Sequence, residues 1–132
     1  MRIAVFASGR GSNLLAIHDA ILADELQGVS LDLLVCDRLE APVVEEVKKR
    51  YIPDFIFRPQ DFPDKKAFET VIAEKLKTAA IDLVVLAGYM RLVGSVLLEK
   101  WEGRMINLHP SLLPLFPGKD AIGQAWRTGV KE

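Results

Sequence analysis

The hydrophobic residues of this chain fall in short unbroken runs that are separated by longer amphipathic segments. Five runs are apolar along almost their whole length, at residues 3–7, 31–36, 55–57, 83–87 and 105–108. A strand that is covered on both faces shows this pattern, whereas a half-exposed strand alternates apolar and polar residues. The runs therefore predict five buried strands of a parallel sheet.

The segments between the runs carry apolar residues at helical spacing, and three of them are clear: Leu14, Ile17, Ile21 and Leu22; Val43, Val44 and Val47; and Phe68, Ile72 and Leu76. We expect Asp64 to cap the third helix, and Ser12 or Asn13 to cap the first. The element order βαβαβαβαβ predicts an α/β fold, a doubly wound and mainly parallel sheet with helices on both faces. We expect one domain over residues 1–132, with ligands beyond the carboxyl ends of the strands.

Composition and charge disfavour nucleic acid, a membrane and a metal ion as binding partners. The formal net charge is -1, so no uniform positive field exists for nucleic acid or for an anionic membrane. Cys36 is the only cysteine, which excludes an intrachain disulfide and favours the cytoplasm. The first apolar run is too short for a signal peptide or a membrane span. A metal site is a poor interpretation, because the chain has one cysteine and only two histidines, His18 and His109.

A glycine-containing loop, Ser8-Gly9-Arg10-Gly11-Ser12-Asn13, follows the first predicted strand and opens the first predicted helix. Free amide groups and the positive end of the helix dipole favour an anion at this position, and glycine lets the backbone approach it closely. The dinucleotide fingerprint fails because Leu14 occupies the third glycine position. The loop therefore predicts a site for a phosphate monoester, and the alternative is an ordinary turn with a polar cap.

Asn107 and His109 are two residues apart at the end of the last predicted strand, so their side chains are expected to project from the same side. An amide donor beside a histidine suits an oxyanion that forms at a carbonyl, with histidine also moving a proton. Ser111 lacks a nucleophile elbow and Cys36 has no motif around it, so attack by an amine or water is the better hypothesis. The alternative is a histidine at a strand end that only bonds the backbone.

Three ordered segments resemble the phosphoribosylglycinamide formyltransferase family. The segments are residues 7–13, residues 85–92 (Val-Leu-Ala-Gly-Tyr-Met-Arg-Leu) and residues 106–114 (Ile-Asn-Leu-His-Pro-Ser-Leu-Leu-Pro), with Phe-Pro-Gly at 116–118. The resemblance is colinear along nearly the whole chain. Other folate-dependent formyltransferases share versions of the third segment, and the Gly-Ser-Asn loop narrows the choice.

The resemblance implies transfer of the formyl group of 10-formyltetrahydrofolate, the co-substrate, to the amine of glycinamide ribonucleotide in purine biosynthesis, with no metal. It implies that Gly11, Ser12 and Asn13 bind the ribonucleotide phosphate and that Asn107 and His109 are catalytic. The residues that it assigns to the folate are Lys65, Met90, Arg91, Leu92, Val93 and Asn107. The alternatives are a solvated helix turn for Lys65, a surface ion pair for Arg91, and core packing for Met90 and Leu92.

The family pattern continues past Glu132, and its missing part normally holds an aspartate that pairs with the histidine. We therefore expect a chain that is truncated at its carboxyl end, lacks the carboxylate that would favour the charged form of His109, and is a monomer or homodimer through an exposed sheet edge. Whether the chain is active without that carboxylate stays open. Two other functions stay open. One is a formyltransferase with a different amine acceptor, and the other is a nucleotide-binding module without catalysis.

Overall fold

A computed structural model describes residues 1–108 of the chain and shows one parallel sheet of five strands with helices between them. The strands are β1 (Arg2–Phe6), β2 (Ser30–Cys36), β3 (Asp54–Ile56), β4 (Leu83–Leu86) and β5 (Met105–Asn107). The helices are α1 (Ser12–Leu22), α2 (Pro42–Lys49), α3 (Lys65–Thr78) and α4 (Ser95–Trp101), with a 3₁₀ turn at Pro59–Asp61. All five predicted strands are present, with ends that differ by one residue, which confirms the element order.

The sheet has the strand order β3-β2-β1-β4-β5, and every neighbouring pair is parallel. The chain first proceeds from β1 outward through β2 to β3, and it then returns to the other side of β1 with β4. The order therefore reverses between β1 and β4. An open α/β sheet binds ligands beyond the carboxyl ends of its strands at such a reversal.

Helices cover both faces of the sheet, as the unbroken apolar strands predicted. On one face Leu14 and Ile17 of α1 and Val47 of α2 pack against Val5 and Val85. On the other face the core is formed by residues of α3, α4 and the strands: Phe68, Ile72, Leu76, Leu97, Trp101, Phe6, Val35 and Val84. The residues of β1, β2 and β4 are almost all buried, since both faces of these inner strands meet helices. The prediction of a buried strand was wrong for β3, which lies at the edge of the sheet and has one exposed and two partly buried residues.

The helix starts confirm one predicted cap and correct another. Asp64 accepts a hydrogen bond from the amide of Ala67 at 2.8 Å, which confirms it as the cap of α3. The expected cap of α1 by Ser12 or Asn13 was wrong, because both residues already lie inside the helix and Gly11 precedes it. None of the helices in residues 1–108 combines the length and the hydrophobicity that spanning a bilayer requires.

Candidate active site

The predicted site residues gather at one edge of the sheet, where the strands end. We call this the carboxyl edge and define it by the segments that follow the strands, residues 7–13, 37–41, 87–94 and 107–108. Lys65 begins α3 and lies beside it, since its ammonium group donates to the carbonyl oxygen of Leu92 at 2.9 Å. His109 lies outside the described residues, so its pairing with Asn107 stays a prediction.

The turn between β1 and α1 depends on Gly11. Its φ angle is 74°, in the left-handed region, and a Cβ atom at this position would lie 2.2 Å from Cγ2 of the buried Val43. The amide of Val43 also donates to the carbonyl oxygen of Gly9 at 3.0 Å. The start of α2 therefore packs directly on this turn, and only glycine fits at residue 11.

A cavity of about 180 Å³ opens at the amino end of α1. It is lined by residues 9–13 of this turn together with Ala87 and Gly88, which follow β4. The first turn of α1 holds no acidic residue, so nothing there opposes the positive end of the helix dipole. Ser12 is exposed, Asn13 is buried, and the side chain of Arg10 is exposed nearby. The cavity has the size and polarity that suit a phosphate group.

A second cavity, of about 300 Å³, contains Asn107. Its other lining residues come from β4, the following loop, α4 and β5: Leu86, Tyr89, Met90, Arg91, Leu92, Val93, Leu98 and Met105. Met90 is 81% exposed and Leu92 is 83% exposed, so the alternative of core packing was wrong for both residues. Two large apolar side chains held in solvent beside one exposed amide suit a flat apolar ligand that carries a polar reacting group.

Tyr89 anchors the loop between these two cavities. Its ring makes an edge-to-face contact with Phe6 at 5.3 Å between centroids. Burial, with smaller contributions from the charges of Asp37 and Glu69, raises the pKa of the Tyr89 hydroxyl well above its usual range. Tyr89 is therefore neutral at physiological pH and acts as a packing residue.

Asp37, which follows β2, connects the loop after β1 to the loop after β4. Its carboxylate is buried, and it accepts from the hydroxyl of Ser8 at 2.6 Å and from Nε of Arg91 at 2.9 Å. The oxygen of Ser8 in turn accepts from the amide of Met90 at 2.9 Å. Arg91 does form an ion pair, as the alternative proposed, but the pair is only partly at the surface: the Arg91 side chain is 41% exposed and the Asp37 side chain is 4% exposed.

The far end of the same loop is held by Glu69 of α3. Both oxygens of its buried carboxylate face the start of α4, where they accept from the amide of Gly94 at 2.7 Å and from the amide of Leu97 at 3.4 Å. A negative charge at a helix start is favourable because it meets the unpaired amides and the positive end of the dipole. The residues between Gly88 and Gly94 are thus fixed at both ends.

Two further observations on residues 1–108 concern a thiol nucleophile and metal-binding side chains. Cys36 is buried, and burial raises the pKa of its thiol, which opposes formation of a thiolate nucleophile. Residues 1–108 hold no group of three or more His, Cys, Asp or Glu side chains that could bind a metal ion. The ring Nδ1 of His18 lies 2.9 Å from the guanidinium of Arg50, which donates to it.

Three contributors were missed by the sequence interpretation: Ser8, Asp37 and Glu69. Ser8 belongs to the glycine loop but was counted only as part of the turn. An acidic residue directly after a buried parallel strand, as Asp37 is, was the signal that could have been used. Glu69 gave no signal, because its position in α3 is that of an ordinary polar residue.

Comparison with known proteins shows which family the chain resembles. The family model described as Formyl transferase matches residues 1–132. A phosphoribosylglycinamide formyltransferase of Bacillus subtilis (strain 168) is 51% identical over 130 residues, which is 98% of this chain and 66% of that protein. The chain thus spans about two thirds of the length of this relative.

Solved structures agree with this relationship. Glycinamide ribonucleotide transformylase 1 from Geobacillus kaustophilus is 54% identical and superposes with a TM-score of 0.80, over 98% of this chain and 68% of that one. Phosphoribosylglycinamide formyltransferase from Bacillus halodurans is 49% identical with a TM-score of 0.79, over 98% and 66% of the two chains. The doubly wound fold is therefore shared with these enzymes.

Proposed function

The chain belongs to the formyl transferase family, and from this premise we propose that it carries the substrate sites of a phosphoribosylglycinamide formyltransferase. The reaction would move the formyl group of 10-formyltetrahydrofolate to the amine of glycinamide ribonucleotide. The observation that carries the proposal is the loop from Ala87 to Val93. Its first residues line the cavity at the start of α1, and its later residues line the cavity of Asn107.

The ribonucleotide phosphate is assigned to Gly11, Ser12 and Asn13. Unpaired amides at the start of α1 and the absence of acidic residues from its first turn support this assignment. The conformation of Gly11 is needed to bring the backbone of the turn to the anion.

The folate is assigned to the second cavity and its rim, with Met90, Leu92 and Val93 as apolar contacts and Asn107 at the reacting end. Lys65, Arg38 and Arg91 line an adjoining cavity of about 470 Å³, where these three cations outnumber the one carboxylate, that of Asp37. Cations at this rim suit the carboxylates that a folate carries.

In the proposed reaction the amine nitrogen bonds to the formyl carbon, and the carbonyl oxygen becomes an oxyanion. The amide of Asn107 donates to that oxyanion, with His109 in its protonated form as the second donor. The bond from the formyl carbon to N10 then breaks, and the proton released by the attacking nitrogen passes to N10 through His109. Atoms and charges balance without a metal or a covalent enzyme intermediate.

The test is a turnover assay of the protein with 10-formyltetrahydrofolate and three amine acceptors, following release of tetrahydrofolate. Glycinamide ribonucleotide should be formylated, while a tRNA-linked and a sugar-linked amine should not. Turnover with either of the other acceptors would replace the substrate but keep the chemistry. Saturable calorimetric binding of the ribonucleotide without any turnover would instead favour a nucleotide-binding module.

We further propose that the protein acts in the cytoplasm on small molecules and is a monomer or a homodimer. Size-exclusion chromatography with light scattering decides between the two states.

A further inference from the structure

Asp37 is a buried acidic residue that directly follows β2, at the carboxyl edge of the sheet. Only 5% of the residue is exposed to solvent, and its two carboxylate oxygens accept hydrogen bonds from two different loops. Burial of a carboxylate is costly unless the group is paired and hydrogen-bonded, so the two contacts compensate Asp37 for its loss of water.

The bond from Ser8 determines where the hydroxyl proton of Ser8 points. A serine hydroxyl has one proton and two acceptor lone pairs. Because the proton goes to Asp37, the oxygen lone pairs are free to accept from the amide of Met90. Without the carboxylate the hydroxyl can rotate, and the acceptor for Met90 is no longer fixed.

Strand order explains why these residues meet. β1 lies between β2 and β4, so the ends of the three strands are adjacent although Ser8, Asp37 and Met90 are far apart in sequence. The backbone amide of Ser8 also donates to the carbonyl oxygen of Gly88 at 3.1 Å. Ser8 and Asp37 together therefore hold Gly88, Met90 and Arg91 through three hydrogen bonds.

We propose that Asp37 is a positioning residue for the folate cavity, acting through Ser8 and Arg91 rather than by contact with the reacting atoms. This inference rests on the proposed function, since it assigns Met90 and Arg91 to the folate. A loop that is fixed before binding loses less conformational freedom when a ligand arrives. Loss of Asp37 should thus weaken folate binding and leave the ribonucleotide site, which is held by Gly11 and Val43, unchanged.

The chain offers a matched control. Asp32 accepts from the hydroxyl of Ser30 at 2.5 Å and lies 3.4 Å from the guanidinium of Arg2, which is the same set of residue types at the opposite edge of the sheet. The variants are Asp37→Asn, Asp37→Glu and Asp32→Asn. Asparagine removes the charge and places its NH2 group, a donor, against either Arg91 or the hydroxyl of Ser8, while glutamate keeps the carboxylate.

Steady-state kinetics of these variants test the proposal. For Asp37→Asn the KM for 10-formyltetrahydrofolate should rise roughly two- to tenfold, the effect of one or two lost hydrogen bonds. The kcat value and the ribonucleotide Kd should change less than about twofold, within the uncertainty of such effects. Asp37→Glu should recover part of the loss, and Asp32→Asn should match the parent protein. An unchanged folate KM, or an equal rise in the ribonucleotide Kd, would overturn the proposal.

Hydrogen exchange at the amide of Met90 separates this inference from the proposed function. In Asp37→Asn and in Ser8→Ala the exchange should be faster than in the parent and in Asp32→Asn. Absence of turnover in the parent protein would refute the proposed function alone, whereas equal exchange at Met90 in all four proteins would refute the role of Asp37.

Discussion

The two edges of the sheet carry the same three residue types in two different settings. At the carboxyl edge Ser8, Asp37 and Arg91 join loops across the sheet, and the carboxylate is 4% exposed. At the opposite edge, which we call the amino edge and define by residues 1–2, 28–32 and 79–82, Ser30, Asp32 and Arg2 form the other set.

Burial is the difference between the two sets. The Arg2 and Asp32 side chains are 47% and 20% exposed, so water solvates this pair and its contribution to stability is small. Asp37 is removed from water and depends on its partners. The same residue types therefore stabilise little at the amino edge, while at the carboxyl edge they fix Met90 and Arg91, which line the cavity of Asn107.

The largest effect is expected from the turn at Gly11. Gly11→Ala combines a left-handed backbone with overpacking against Val43, so it should lower the free energy of unfolding by roughly 2–5 kcal/mol. Gly28 at the amino edge has the same φ of 74°, but a Cβ atom there would meet no atom within 4 Å, so Gly28→Ala should cost only about 1 kcal/mol. Urea unfolding of both variants measures the difference. Equal losses would show that Val43 yields and that packing at this turn is unimportant.

The next effect concerns Asn107. Removal of one oxyanion donor typically costs about 2.7–4 kcal/mol of transition-state stabilisation, so Asn107→Ala should lower kcat roughly 100- to 1000-fold. Because the side chain is exposed, the free energy of unfolding should change by less than about 0.5 kcal/mol. Glu99→Gln, on the exposed surface of α4, is the control for both measurements. A normal kcat in Asn107→Ala would remove Asn107 from the chemistry.

The buried and exposed carboxylates can be compared directly by stability. Asp37→Ala leaves the hydroxyl of the buried Ser8 without its acceptor and should cost about 1–3 kcal/mol. Asp32→Ala should cost less than about 1 kcal/mol. Denaturant midpoints in low and high salt separate them, since salt screens only the exposed pair effectively. A larger loss for Asp32→Ala would contradict the contrast between the edges.

The smallest effect is a pH dependence at His18. Burial, then the charge of Arg50, lowers the pKa of His18 from its usual 6.5, while Asp19 opposes the shift. The folded state therefore favours the neutral ring. Its contribution to stability is complete above the unfolded pKa and is lost as the pH falls through that value toward the folded pKa. Between about pH 8 and about pH 5, His18→Gln should lose less stability than the parent protein does. Parallel curves of unfolding free energy against pH for the two proteins would mean that His18 does not contribute to the pH dependence.

Local patterns in the sequence were enough to predict the strands, the order of elements and the positions of the glycine loop and Asn107. Each of these depends on neighbours in the chain or on strand period. The link between Ser8 and Asp37 could not be predicted in the same way, because it joins residues 29 apart and depends on β1 lying between β2 and β4. The exposure of Met90 and Leu92 could not be read from the sequence either, since apolar residues that directly follow a buried strand resemble core residues. Whether His109 faces Asn107 stays a prediction.

The most direct test of the two substrate sites is an NMR titration of the backbone amides with each substrate in turn. Glycinamide ribonucleotide should shift the amides of residues 9–14 and of Gly88, and 10-formyltetrahydrofolate should shift those of residues 89–93 and Asn107. The amides of Arg2, Asp32 and Asp82 at the amino edge should stay unmoved in both titrations. Shifts that centre on the amino edge, or the absence of any saturable shift at residues 9–14, would contradict the assignment of both substrates to the carboxyl edge.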